Sequence, residues 1–78
     1  MQGYSIRIAE AIKNADGDLL GVQLGRLCLE RDISVAEVAH TLKVTRQTVY
    51  GWFTGTTLPQ ASHESGIRVW LEDIRKPA

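Results

Sequence analysis

A single cysteine, Cys28, occurs in the 78 residues, and one thiol cannot close an internal disulfide. That excludes the small secreted frameworks that replace a core with cross-links. Two histidines, His40 and His63, stand far from Cys28 and from each other, which makes a poor zinc site. Apolar runs are short, and none approaches the roughly 20 residues needed to cross a bilayer. No basic stretch followed by an apolar one opens the chain, so no signal peptide is read and a cytoplasmic location is expected. Glycine-rich phosphate loops, paired acids and metal-ligand spacings are also missing, so no catalytic residue, no cofactor and no small-molecule substrate are expected. Net charge is zero, with nine basic and nine acidic side chains, which weighs against a generally polyanion-binding surface.

The charges are unevenly placed. No Asp or Glu lies between Val38 and His63, while Lys43 and Arg46 fall inside that stretch. The acids gather at 10–18, 30–37 and 64–73. A neutral protein can thus present one acid-free, locally positive surface, although short stretches also lack acids by chance.

Length allows one domain, 1–78, with a modest core. The pattern predicts an all-α, compact bundle of about five short helices. Ser5 caps a first helix over about 5–15, with Ile8, Ile12 and Ala15 at helical spacing. Gly17 then offers a left-handed stop, and Asp18 a cap for the next helix. That second helix, over about 19–31, carries Leu20, Leu24, Leu27 and Cys28 on one stripe. Gly21 and Gly25, one turn apart, weaken it, and either close packing or chance accounts for them. Ser34 and Glu37 fit a capping box for a third helix, with Ile33 as a staple and Val35, Val38, Ala39 and Leu42 facing inward. After Lys43-Val44, Thr45 caps a fourth helix over 46–54, and Gly55 stops it. Residues 56–59 read as an extended connection. Ile67, Trp70, Leu71 and Ile74 mark a last helix over about 62–76, with Gly66 as a break and Pro77 as the stop.

On a wheel of about 100° per residue, the fourth helix divides cleanly. Arg46, Gln47, Tyr50, Gly51 and Thr54 share one arc, and Thr48, Val49, Trp52 and Phe53 the other. The outer arc carries long hydrogen-bonding side chains and no acid. Arg can pair with guanine N7 and O6, and Gln with adenine N6 and N7, in a major groove about 12 Å wide. Tyr50 can reach a phosphate or a thymine methyl, and Gly51 thins the helix where it would sit deepest. A plain surface helix with polar residues outward is the bland alternative.

The stretch 24–59 resembles the lambda-repressor-like helix-turn-helix family, the group of Cro, phage repressors and XRE-type bacterial regulators. The pattern here is Leu24, Leu27, Ile33-Ser34, Glu37-Val38-Ala39, Leu42-Lys43-Val44-Thr45-Arg46, Thr48-Val49, Trp52, Gly55 and Pro59. The resemblance implies a core motif over about 19–60, in which 34–42 supports and 46–53 reads double-stranded DNA. It matches the family's base-reading positions to Arg46, Gln47 and Gly51, with Tyr50 beside them. It matches phosphate contacts to Lys43, Thr48 and Thr54, and Thr45 and His40 stand next to these. Val35 occupies a position where the family often carries a glutamine that contacts the DNA backbone. The resemblance also implies a homodimer on a palindromic operator, with half-sites about 34 Å apart. It gives no role to the segment 1–16.

Other residues have plainer readings. Cys28 reads as a small core residue rather than a reactive thiol, and His40 as either a phosphate contact or a solvated imidazole. Ser62 and His63 are adjacent on a helix and so diverge, which denies them triad geometry. Trp70 is core or half of a dimer interface. The expected function is a DNA-binding transcriptional regulator, Cro-like and nucleoid-associated, repressing by promoter occlusion. The alternatives are a helix-turn-helix protein-interaction module or an antitoxin that binds DNA weakly or not at all.

Overall fold

A computed structural model describes residues 4–76 and places them in five helices: α1 (Ile6–Asn14), α2 (Leu20–Arg31), α3 (Val35–Leu42), α4 (Arg46–Thr54) and α5 (Ala61–Arg75). No strand occurs among the described residues. The expected all-α class is the observed one. Pro77, read as the final stop, lies outside the described residues.

Three helices begin on the hydroxyl that the sequence marks. Ser5 accepts from the Ile8 N–H, Ser34 from the Glu37 N–H and Thr45 from the Thr48 N–H, each at 3.1 Å. Each bond satisfies a donor that has no partner within its helix. Glu37 is exposed and makes no return bond to Ser34 among the described residues, so that box is half formed.

Three helices also end alike. Asp32, Lys43 and Gly55 close α2, α3 and α4 in the left-handed region, at φ of 60°, 59° and 76°. After each, the next N–H reaches back to a carbonyl of the last turn: Ile33 to Cys28 at 2.9 Å, Val44 to Ala39 at 3.0 Å and Thr56 to Gly51 at 3.0 Å. The last carbonyls are thereby satisfied and the chain turns sharply. Only Gly55 adopts this conformation freely, because a Cβ crowds the following carbonyl in the other two.

Two sequence expectations are corrected at the joint between α1 and α2. Gly17 does not end α1 in a left-handed conformation; Ala15 ends it with extended backbone, φ −75° and ψ 168°. The carbonyls left over are taken by Arg26 of α2. Its Nη2 donates to Lys13 at 2.9 Å and Ala15 at 2.7 Å, and its Nε donates to Ile12 at 3.4 Å. A guanidinium is suited to this place, since it supplies several donors and a charge opposed to the negative helix end. Asp18 does not cap α2 either. Leu19 holds the N-cap position without a side-chain bond, and the local turn is made by Asp16 Oδ1 accepting from the Asp18 N–H at 2.9 Å.

The core forms where α4 packs on α2 and α3, with α1 beside it and α5 set against α2 and α3. Ile12, Val22, Leu24, Cys28, Val38, Val49, Phe53 and Ile67 are wholly buried. Burying each of the larger side chains contributes about 1.5–3 kcal/mol. Gly21 and Gly25 are close-packing positions, because α4 lies directly on them. A Cβ on Gly25 would stand 2.8 Å from Phe53 Cγ. Gly66 does not break α5, which runs unbroken past it against Leu42. Ile67, Leu71 and Ile74 face inward, and Trp70 lies half-buried at the core's margin. Tyr4 is buried below the α2–α3 turn, where its hydroxyl donates to the Ile33 carbonyl at 2.7 Å. No helix among the described residues is long and apolar enough to cross a membrane.

Candidate nucleic-acid interface

The polar arc of α4 is held in place by its opposite side. Val49, Trp52 and Phe53 are buried at 0%, 3% and 0% exposure, so the helix cannot roll without opening the core. Thr45 fixes its first turn from the other end. Arg46 and Gln47, on that first turn, are both exposed and make no hydrogen bond or ion pair among the described residues. Their donors and acceptors are therefore available to a ligand. Tyr50, one turn on, is half-buried, with its ring against the core's edge.

Other predicted residues are placed less simply. Gly51 is half-buried, and the side chain of Thr57 occupies the space a Cβ there would need. The glycine thus leaves room for the Thr57 hydroxyl, which a Cβ would push aside, a reason the helical wheel does not contain. The Thr54 hydroxyl donates to the Tyr50 carbonyl at 2.7 Å, so it is engaged within its own helix. The Thr45 and Thr48 hydroxyls lie 2.8 Å apart and bond to each other. Lys43 and His40 are exposed beside the α3–α4 joint, and Lys43 has no ion-pair partner among the described residues. Val35 is buried at 5% exposure and can offer nothing outward. Arg46, Gln47 and Tyr50 thus share one outer arc of α4, Lys43 and His40 flank its start, and Thr54 stands at its far end.

Sequence reasoning missed the loop that follows. Thr57, Leu58 and Gln60 line an open groove of about 480 Å³ together with Val44, Thr45 and Thr48. His63 closes one end, its ring 5.5 Å from that of Trp52 and tilted by 50°. The one weak signal was the run of hydroxyls, Thr54, Thr56 and Thr57, around the helix-stopping Gly55.

The face carries positive charge without acid. The ion pair between Lys76 and Asp73, at 3.9 Å, is at the far end of α5. The helix dipole adds partial positive charge at the start of α4, where Arg46 and Gln47 stand. Chemically, such a face can pair donors with an electron-rich planar edge and hold an anion nearby. The one thiol, Cys28, is wholly buried, and burial with the nearby Glu37 charge pushes it up to about 12, so it stays protonated. No group of three or more His, Cys, Asp or Glu side chains that could hold a metal ion occurs among the described residues. No family model, no curated protein and no solved structure matches the chain.

Proposed function

We propose that this protein is a sequence-specific DNA-binding regulator of lambda-repressor-like helix-turn-helix type, with α3 as the supporting helix and α4 as the reading helix. One observation carries the reading. Arg46 and Gln47 stand side by side, exposed and uncommitted, on the first turn of a helix that is locked from behind by Trp52 and Phe53. Arg46 reads a guanine and Gln47 an adenine through paired bonds. Lys43 and the start of α4 hold phosphate oxygens, which position the helix without specifying sequence.

Repression follows by occlusion of a promoter. The resemblance implies a homodimer on a palindromic operator, with half-sites roughly 34 Å, one turn of duplex, apart. The location that accompanies this function is the nucleoid.

Selection of bound sites from a random duplex pool tests the proposal. Enrichment of a palindrome with half-sites one helical turn apart supports both the reading and the dimer. A pool that stays random after repeated rounds at low salt ends it.

A second reading, a protein-interaction module or antitoxin on the same fold, draws on Val35 and Gly51. Burial of the first and coverage of the second remove two places where DNA would be touched. No shift of random duplex at micromolar protein, together with stoichiometric co-purification of a protein, favours that reading.

A further inference from the structure

We propose that Thr57 is a specificity-determining residue for DNA, standing in from the loop for the side chain that Gly51 lacks. The inference rests on α4 being a DNA-reading helix. Gly51 follows Gln47 by four residues, so its empty Cβ position lies about 5–6 Å from that of Gln47 on the same face. Thr57 fills that position. Its hydroxyl stands against the point where a Cβ on Gly51 would be, too close for both, and its Cβ and Cγ2 lie 3.5 Å from that point.

The loop is anchored there by its own backbone. Gly55 turns the chain back at φ 76°. The Gly51 carbonyl then accepts from the Thr56 N–H at 3.0 Å, the Thr57 N–H at 3.2 Å and the Thr56 hydroxyl at 3.3 Å. Thr57 nevertheless remains exposed, and its hydroxyl makes no hydrogen bond among the described residues. Three neighbouring hydroxyls, on Thr45, Thr48 and Thr54, are all engaged internally. Of these four threonines, Thr57 is the one held at this face with its donor and acceptor open, as the Tyr50 hydroxyl on α4 is too. Beside Gln47, it bonds a base edge directly or holds the Gln47 amide in the orientation that selects adenine.

The test compares wild type with Thr57→Val, which keeps the shape and loses the hydroxyl, and with Thr57→Ser, which keeps the hydroxyl. All three are taken through selection from a random duplex pool and titrated against the wild-type site. Circular dichroism and thermal melting confirm that the variants are folded. The expected result is a loss of about three- to tenfold for Thr57→Val at that site, the size of one hydrogen bond. The preference should relax at the base pair that Gln47→Ala also relaxes, and Thr57→Ser should bind as wild type. Unchanged affinity and preference in Thr57→Val overturn the proposal. So does an equal loss on every sequence, which marks a phosphate contact. A wild-type pool that never enriches a site is a different failure: it removes the DNA reading itself, and the role of Thr57 with it.

Discussion

Gly21 of α2 and Trp52 of α4 approach so closely that a Cβ on the glycine would stand 2.7 Å from the tryptophan's carbonyl oxygen and 2.8 Å from its Cβ. Gly25, one turn later, has Phe53 in the same relation. The α4 helix is therefore seated on a groove made by two missing side chains. An exposed helical Gly→Ala change ordinarily gains about 1 kcal/mol. Here the added methyl meets backbone and a buried ring, neither of which can swing away. Gly21→Ala and Gly25→Ala should each destabilise the fold by about 1–3 kcal/mol, the range of overpacked cores. Urea denaturation measures this, and a midpoint raised above wild type would show that α4 can be lifted without loss.

Arg46 and Lys43 should respond differently to truncation. On the proposed reading, Arg46→Ala removes a paired base contact and should cost about 1–3 kcal/mol at the selected site, relaxing one base pair. Lys43→Ala should weaken all duplexes alike and make the salt slope shallower by about one. Titrations over a range of salt separate the two effects. Retained affinity in Arg46→Ala removes that residue from base reading, and an unchanged slope in Lys43→Ala removes the phosphate contact.

Arg26 should matter to α1 beyond its charge. It holds three carbonyls at the end of that helix from a neighbouring helix. Because the side chain is largely solvated, its loss should cost about 1 kcal/mol, the size of an ordinary hydrogen bond and below the range for bonds to charged groups. Arg26→Lys offers a compact ammonium without the planar fork and should recover little of it. Amide exchange should quicken most in α1. Equal protection of α1 in Arg26→Ala and wild type would show that the helix is held by its packing alone.

Cys28 makes stability depend on alkaline pH. Its folded value is raised to about 12 from an ordinary 9, so the unfolded thiol ionises first. The unfolded chain then binds fewer protons than the folded one, and raising the pH favours it. This contribution is complete below pH 9 and is lost as pH rises toward 12. Burial also raises the Tyr4 hydroxyl, which acts in the same direction. Cys28→Ala should flatten the fall in melting temperature across that window. A thiol reagent at pH 8 should label Cys28 only in denaturant, and rapid labelling of the native protein would show that the site is open.

Much of this molecule is written locally. The caps at Ser5, Ser34 and Thr45 and the stop at Gly55 each follow from one residue and its immediate neighbours, as does the inward stripe of α4. Such features are legible because the hydrogen bonds that create them span only a few residues. The left-handed ends at Asp32 and Lys43 were not legible, since neither residue type demands that conformation.

What the chain determines by itself is where α1, α3 and α4 start and which side of α4 is greasy; periodicity and capping chemistry need no distant partner. Tertiary structure alone decided that Arg26 closes α1, that Gly21 and Gly25 receive α4, and that Thr57 fills the notch at Gly51. Each of those joins groups from different segments. Their meeting depends on how the helices cross in space, and no local periodicity carries that information.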